Sequence, residues 1–314
     1  MIDSFPAARY CFEWEVETPL RLPSFAGSAL RGVFGAALRS VACLTRQREC
    51  GGCGFQRSCP YILIFETPLP ETPEGEKNAP IAPHPYVIEP PPWGERIYHP
   101  GEALRFHLVL MGRGLRQLPL LILAWQRAMA HGVGPGNGAA RLRRVELVEA
   151  SGEREIFTPE EGIVREHPQE VTIPPWEERR SLPLHLLTPT RIQRDGSPLG
   201  PDRFTARDLL VALLRRVHSV ARLHAPSPMV FDHRPLVQHA ERIDLLQDRL
   251  TWRDWTRRSA RQHQEMTLGG VVGSARLSGP LEPFWPYLHL GQWLHLGKNA
   301  TFGMGQYTLA EGVP

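Results

Sequence analysis

The chain has 314 residues, 42% of them hydrophobic, and a formal net charge of +3. This length suits two domains with separate cores, and no apolar run approaches the roughly 20 residues that a membrane-spanning helix needs. The small positive charge permits a nucleic-acid partner but excludes a strongly polycationic protein. No basic segment followed by an apolar stretch is visible near the N-terminus, so we expect a cytoplasmic protein with no membrane association.

Hydrophobic periodicity in the first half of the chain predicts alternating strands and helices. The predicted elements are a strand at 7–18, a helix at 24–42, a strand at 61–65, a proline-rich loop at 68–95, a strand at 103–111, a helix at 120–131 and a glycine-rich turn leading into a strand at 132–150. Residues 151–182 are polar, acidic and proline-bearing, which is typical of a linker.

A second set of elements follows this linker. It comprises a strand at 183–192, a helix at 203–224, strands at 249–258 and 265–278, a short helix at 281–290, and a glycine-rich turn before a strand at 306–309. The order strand–helix–strand–strand–helix–strand therefore occurs twice, and each copy closes on a glycine-rich turn. We predict an α+β protein with two domains, residues 1–150 and 183–314.

Four of the five cysteines lie close together in residues 43–59, called here the four-cysteine loop: Cys43, Cys50, Cys53 and Cys59. Four thiolates match the tetrahedral coordination of Zn²⁺, so we predict a small structural zinc knuckle. A closed site of this kind has no open position for a substrate, and we expect no catalytic metal. Two disulfides or free thiols are the alternatives, although the expected cytoplasmic location disfavours disulfides. The remaining cysteine, Cys11, is predicted to be a core residue.

A glycine-rich turn near the C-terminus contains Lys298, which with Lys77 makes up all the lysine of the chain. Glycines at 297, 303 and 305 permit positive φ and let a bulky partner approach the backbone. Amide groups in such a turn can hold a phosphate, and a lysine adds a point charge. The alternative interpretation is a tight turn with an exposed lysine.

Several motifs resemble those of CRISPR precursor-RNA processing endoribonucleases of the RAMP superfamily. In the first half they are Arg31-Gly32-Val33-Phe34-Gly35, the four cysteines, Cys59-Pro60-Tyr61 and Phe65-Glu66. In the second half they are Thr188-Pro189-Thr190-Arg191, Trp252-Arg253-Asp254-Trp255, Arg258-Ser259-Ala260-Arg261-Gln262, Leu268-Gly269-Gly270 and the run from His295 to Gly305. The resemblance covers nearly the whole chain in order and spacing.

This resemblance implies two tandem ferredoxin-like, RRM-like domains, in agreement with the repeat. It also implies binding of CRISPR repeat RNA, metal-independent cleavage of pre-crRNA to crRNA, and association with other CRISPR effector subunits. In this context we predict RNA contacts from the glycine-rich turn and the preceding arginine motif: Gly297, Lys298, Asn299, Thr301, Gly303, Gly305 and Arg191.

Metal-independent RNA cleavage uses the 2′-hydroxyl of the substrate as nucleophile and leaves a 2′,3′-cyclic phosphate and a 5′-hydroxyl. It needs a base, a charge-stabilising group and an acid, and histidine is the usual base. Many family members place a catalytic histidine in or after the first helix, but the first histidine of this chain is His84. His295 and His289, just before the glycine-rich turn, are the predicted catalytic residues, and structural histidines are the alternative.

Arginines and tryptophans alternate on a predicted strand of the second domain. Arg257, Arg258 and Arg261, together with Trp252 and Trp255, suit phosphate contacts and base stacking. A solvated strand face with two core tryptophans is the alternative. Because no first-helix histidine is present, a non-catalytic crRNA-binding subunit remains the second functional hypothesis. A zinc-stabilised protein-interaction module is the third.

Overall fold

The computed structural model describes residues 2–68, 82–225, 233–259 and 264–309, without the side chains of 247–248, 257–259 and 264–265. The strands are β1 (Ser4–Phe5), β2 (Ala7–Val16), β3 (Leu20–Leu22), β4 (Tyr86–Glu89), β5 (Arg96–Tyr98), β6 (Ala103–Met111), β7 (Ala140–Glu149), β8 (Gly152–Phe157), β9 (Val171–Thr172), β10 (Ser181–Thr190), β11 (Gln193–Arg194), β12 (Ser197–Pro198), β13 (Asp244–Ser259), β14 (Gln264–Ser278) and β15 (Tyr307–Thr308). The α-helices are α1 (Gly27–Ala42), α2 (Pro60–Phe65), α3 (Leu118–His131), α4 (Ala206–His224), α5 (Arg234–His239) and α6 (Trp285–Leu294).

The chain forms two compact units. The N-terminal unit contains Pro6–Gln169 and Leu223–Pro228, and the C-terminal unit contains Met1–Phe5, Glu170–Arg222 and Met229–Pro314. In the described part of the chain, none of the helices combines the length and the apolar character required to cross a bilayer.

The N-terminal unit is an antiparallel sheet in the order β4-β6-β2-β7-β8, with α1 and α3 packed together. Period-two alternation sends the side chains of Tyr10, Phe12 and Trp14 into the core. There the rings of Phe34 from α1 and Trp125 from α3 stack 4.8 Å apart. The strands β2, β4, β6 and β7 take the positions of a ferredoxin-like β-α-β-β-α-β fold. The fold class is as predicted, but the second strand is β4, which lies in the predicted proline-rich loop rather than at 61–65.

The strand predicted at residues 61–65 was wrong, whereas the prediction that Cys11 is a core residue is confirmed. Residues 61–65 form the one-turn helix α2 rather than a strand, because a short apolar run does not reveal its own period and Pro60 favours the first turn of a helix. Cys11 is fully buried, and because its neighbours Tyr10 and Phe12 face the helices, its side chain lies on the opposite face of β2. Residues 69–81 of the predicted proline-rich loop lie outside the described residues.

The C-terminal unit repeats the same topology with the sheet order β13-β14-β10-β15 and the helices α4 and α6. Helix α4 begins with a capping box, in which the amide of Asp208 donates to Thr205 Oγ1 and the amide of Thr205 donates to the Asp208 carboxylate. Strand β10 pairs with β14 only as far as Thr190 opposite Val271, whereas the β13–β14 hairpin continues to Ser259 opposite Gln264. The outer part of this hairpin therefore extends beyond the three-stranded part of the sheet.

The segment 151–182, predicted as a linker, contains regular structure. Strand β8 extends the N-terminal sheet by pairing with β7, and β9 pairs with β1 in the C-terminal unit. Both strands are short, and the polar composition of the segment conceals them because only a few of their residues are buried.

Candidate nucleic-acid interface

The glycine-rich turn between α6 and β15 has an unusual backbone. Gly297, Gly303 and Gly305 adopt φ values of 81°, 92° and 74°, and Asn299 lies in the left-handed region with φ 65°. At Gly305 an added Cβ would approach the Leu296 carbonyl oxygen well inside 3.0 Å, so only glycine fits. These glycines fix the shape of the turn, which places Lys298 on its exposed surface.

The amide groups of the turn are largely engaged within the protein. The Lys298 amide donates to the Arg191 carbonyl at 2.9 Å, the Gly305 amide to the Pro189 carbonyl at 3.1 Å, and the Gly303 amide to the Ala300 carbonyl at 2.9 Å. These amides are not available to hold a phosphate as the sequence suggested. An anionic ligand would instead contact side chains of the turn, such as that of Lys298.

Three motifs that are separate in the sequence meet at this turn. Thr188 Oγ1 donates to the Gly303 carbonyl at 2.7 Å, and Arg191 Nη1 donates to the Gly269 carbonyl at 3.0 Å. Gly270 lies against the backbone of Thr190, which leaves no room for a side chain. The end of β10, the Gly269–Gly270 part of β14 and the glycine-rich turn thus form one structure, which we call the glycine junction.

The β13–β14 hairpin extends from the glycine junction. Trp255 is buried, with its ring 5.9 Å from that of Phe302 in an edge-to-face arrangement. Trp252 is half-buried, and its indole N–H donates to Asp254 at 2.7 Å. Trp255 is therefore a core residue, while Trp252 keeps part of its ring accessible for stacking. The side chains of Arg257 and Arg258, and all of Arg261, lie outside the described residues.

The two histidines predicted as catalytic have structural surroundings. His295 is fully buried, with φ 58°, and its Nδ1 lies 3.1 Å from the Met304 carbonyl oxygen. His289 is half-buried between the rings of Trp285 and Trp293, at 5.5 and 5.2 Å, and burial lowers its pKa. A general base must reach the proton that it removes, and the burial of His295 argues against that role.

A cluster that the sequence analysis did not identify lies beside the first helix of the N-terminal unit. The imidazole of His84 is half-buried, stacks on Phe65 and Tyr86, and has its Nδ1 3.1 Å from Thr67 Oγ1. The guanidinium of Arg31, on α1, lies 4.2 Å from the centre of the Phe65 ring. Burial raises the pKa of Tyr86 to about 12, although the nearby Arg31 opposes this shift.

We call this set the His84 cluster. It combines the imidazole of His84, the guanidinium of Arg31 and the hydroxyl groups of Thr67 and Tyr86. Its members come from α1, from the segment after α2 and from the approach to β4, so no regular sequence spacing connects them. The first helix has no histidine of its own, but the fold brings one close to it.

The four-cysteine loop follows α1. All four thiols line one cavity, and the Thr45 hydroxyl lies 3.9 Å from Cys43 Sγ and 3.7 Å from Cys53 Sγ. Partial burial would raise the pKa of the Cys43 thiol, but hydrogen bonds from the backbones of Arg46 and Thr45 and from the Thr45 side chain outweigh it and lower this pKa. Burial, with help from Glu66, raises the pKa of Cys50. Four half-buried thiols around one cavity are a donor set that suits Zn²⁺.

The chain resembles known families and structures over almost its whole length. Residues 184–307 match the family model of the CRISPR-associated endoribonuclease Cas6, and residues 5–169 match the AF_1859_N model of an N-terminal domain. No curated protein matches the sequence.

Among solved structures, the Cas6 (TTHB231) product complex is 18% identical, covers 97% of this chain and 99% of its own, and gives a TM-score of 0.60. Thermus thermophilus Cas6 (TTHB231) is 19% identical over 98% of this chain and 99% of its own, with a TM-score of 0.55. A partial Cas6-RT-Cas1–Cas2 complex is 16% identical over 99% of this chain and 47% of the matched chain, with a TM-score of 0.57. At these identities the structures establish the fold.

The glycine junction and the β13–β14 hairpin both lie within the part of the chain that matches the Cas6 model, and the His84 cluster lies within the part that matches the N-terminal model. Residues 184–307 therefore belong to the Cas6 family of CRISPR-associated endoribonucleases, and the fold of the whole chain is that of the solved Cas6 structures.

Proposed function

We propose that this protein binds CRISPR repeat RNA in the cytoplasm and cleaves pre-crRNA to crRNA without a catalytic metal. The 2′-hydroxyl before the scissile phosphate attacks that phosphate, which gives a 2′,3′-cyclic phosphate and a 5′-hydroxyl. The observation that carries the proposal is the glycine junction, where motifs of the Cas6-matching region converge beside an exposed lysine.

The glycine junction supplies the RNA-binding surface. Lys298 offers a charge to the phosphate backbone, and Asn299 and Thr301 lie partly exposed beside it. Arg191 joins the turn to β14 and stabilises the surface. The three glycines act by shaping the backbone, since the Gly303 and Gly305 amides are already bonded within the protein. The phosphate contacts that the sequence predicts for Arg257, Arg258 and Arg261 are retained as part of the proposal.

The His84 cluster supplies the cleavage chemistry. His84 takes the proton from the 2′-hydroxyl, or returns one to the leaving 5′-oxygen, because imidazole exchanges protons near neutral pH. The Arg31 guanidinium stabilises the charge that develops on the phosphorane, since it stays protonated and presents several N–H donors. We assign this role to His84 in preference to His295, which is fully buried, and His289, which is held between two tryptophans.

Zinc is proposed as a structural ion of the four-cysteine loop. The loop carries Cys43, Cys50, Cys53 and Cys59 around one cavity. The four sulfur atoms do not form one set within 4.8 Å, so binding would draw the loop together around the ion. A zinc ion there would supply folding energy, and with four protein ligands it would have no position for the RNA.

Replacing Lys298 by alanine should weaken RNA binding and reduce its dependence on salt. A lost contact to a single-stranded phosphate lowers the slope of log affinity against log salt by about 0.7. The measurement is a filter-binding or anisotropy titration with repeat RNA at several salt concentrations. Lys298→Arg is the matched control, because it keeps the charge and should retain the slope. An unchanged affinity and slope in Lys298→Ala would assign Lys298 to a simple exposed turn.

Replacing Cys50 by serine should lower thermal stability and remove one zinc ion per chain. The stabilisation by a structural metal is lost when one of its four ligands is removed. Elemental analysis and thermal unfolding measure the two effects, and Ser58→Ala in the same loop is the control. Purified wild-type protein with no zinc and four titratable thiols in the loop would contradict the proposal.

A non-catalytic crRNA-binding subunit is the second candidate function. The observation that favours it is the first helix, whose titratable side chains, Arg31 and Arg39, stay protonated and cannot act as bases. One matched structure contains Cas6 in a complex with Cas1 and Cas2, and association of this chain with other CRISPR proteins is consistent with either function. The cleavage assay described in the Discussion separates the two.

A further inference from the structure

A group of potential metal ligands lies on the face of the N-terminal sheet opposite the core. The side chains of Tyr10 and Phe12 on β2 point into the core, which lies between the sheet and the helices. The side chain of Cys11, between them in the sequence, therefore points to the other face of the sheet. His107 on β6 is the direct cross-strand partner of Cys11. Cross-strand partners have Cβ atoms about 5 Å apart, a separation that lets two side chains share one ion.

A third ligand comes from β8, at the edge of the sheet. Ligand atoms of Cys11, His107 and Glu153 all lie within 4.8 Å of one another. Cys11 is fully buried, whereas the side chains of His107 and Glu153 are 34% and 32% exposed. An ion can therefore reach His107 and Glu153 from solvent. To reach the buried thiol it would displace the Arg105 guanidinium, which hydrogen-bonds to both Cys11 and Glu153.

The three donors suit one kind of ion. A thiolate, an imidazole nitrogen and a carboxylate oxygen are the three side-chain ligands of Zn²⁺, which they bind at about 2.0–2.3 Å. Ligand atoms around one zinc ion then lie about 3.5 Å apart, so modest side-chain movements from the observed separation would complete the site. Three protein ligands leave the fourth tetrahedral position for water.

Charged neighbours on the same face balance an added cation. Arg105 pairs with Glu153 and also reaches Glu146 at 3.0 Å and Glu13 at 3.5 Å. If Glu153 coordinates a metal ion, Arg105 can still form ion pairs with Glu146 and Glu13. The charged groups of this face that lie close to the cluster are Arg9, Arg105, Arg144, Glu13, Glu89, Glu146 and Glu153. Carboxylates outnumber guanidiniums in this set, so the local charge favours a bound cation.

The surroundings of Cys11 differ from those of an ordinary core thiol. It is absent from the apolar cluster and has Arg105, Glu146 and Glu153 as neighbours. Burial raises the pKa of this thiol to about 11, so without a metal it carries a proton. Binding of Zn²⁺ would release that proton to solvent as the sulfur–metal bond forms.

We propose that Cys11, His107 and Glu153 form a second zinc site, separate from the four-cysteine loop and lying on the face of the N-terminal sheet opposite the helices. The site has three protein ligands and one exchangeable position.

The test compares zinc content and cobalt spectra of single variants of the full chain. Each protein is equilibrated with buffered Zn²⁺ and its metal content is measured, and Co²⁺ then replaces zinc as a spectroscopic probe. His107→Ala should bind one ion fewer than wild type, and Cys11→Ser should also lose thiolate-to-cobalt charge-transfer intensity. His131→Ala, at the exposed end of α3, is the control and should match wild type.

Because all these variants keep the four-cysteine loop, the difference of one ion does not depend on whether that loop is occupied. Glu153→Gln changes only a partly exposed oxygen ligand, so it should fold normally and bind the second ion more weakly. Equal zinc content and equal cobalt spectra in wild type, His107→Ala and Glu153→Gln would overturn the proposal. If His107→Ala loses the ion only because it misfolds, and a folded Glu153→Gln binds the second ion as tightly as wild type, the proposal would also be overturned.

Discussion

A 2′-deoxy substitution at the nucleotide before the scissile phosphate is expected to abolish cleavage of repeat RNA by this protein, while EDTA leaves cleavage of the unmodified RNA intact. The 2′-oxygen is the nucleophile in the proposed reaction, so its removal takes away a reactant and leaves the phosphate contacts in place. Denaturing gels of end-labelled RNA measure the cleavage, and anisotropy measures the binding. We expect unchanged affinity together with no product.

The control for this experiment is a 2′-deoxy substitution one nucleotide away from the cleavage site, which should be cut at the normal rate. Cleavage that requires Mg²⁺ and tolerates the deoxy substitution would contradict 2′-hydroxyl attack. If wild-type protein binds repeat RNA tightly and leaves it intact in both EDTA and Mg²⁺, the protein is a crRNA-binding subunit. In that case, the absence of a histidine from the first helix was the sequence feature that indicated a non-catalytic protein.

Replacing His84 by alanine is expected to slow cleavage about 10²- to 10⁴-fold, which is the usual contribution of one general acid–base group. RNA affinity should change little, because phosphate contacts are assigned to the glycine junction. The measurement is single-turnover cleavage at saturating protein, with the pH–rate profile recorded for both proteins. The wild-type profile should show an ionisation that the variant lacks.

His99→Ala is the matched control, because His99 is an exposed histidine of the same unit. His295→Ala is the informative comparison. Because His295 is buried against the Met304 carbonyl, this variant should lose stability and distort the glycine-rich turn. Normal cleavage by a folded His84→Ala would remove His84 from the mechanism without changing the family assignment. Loss of cleavage in a stable His295→Ala would restore His295 as the catalytic candidate.

The sequence by itself determined the repeated topology. The alternation of Tyr10, Phe12 and Trp14 marks one face of a strand, and the spacing of Leu209, Leu213 and Leu214 marks one face of a helix. Periodicity of this kind is local, because a strand or a helix presents the same face at fixed intervals along the chain. The glycine-rich turn was also visible, since positive φ at several positions restricts the residue type.

Short elements, and the face of the sheet on which a single strand residue lies, were less predictable. The apolar run Tyr61-Ile62-Leu63-Ile64-Phe65 is compatible with a strand or a helix, and its position after Pro60 decided the outcome. Cys11 is buried, as predicted, but the pleat of β2 places it on the face opposite Tyr10 and Phe12. The strands within 151–182 are too short and too polar to show a period.

The candidate sites required the tertiary structure. Arg31 and His84 are far apart in the sequence, and both lie against the Phe65 ring because α2 and β4 pack beside α1. Thr188, Gly269 and Gly303 come from three elements that join only when β10 lies between β14 and β15. His295 is adjacent in sequence to the glycine-rich turn, yet burial removes it from solvent. Sequence fixes which face each element presents, but the contacts between distant elements depend on how those faces pack, so only the folded chain could decide which side chains can act together.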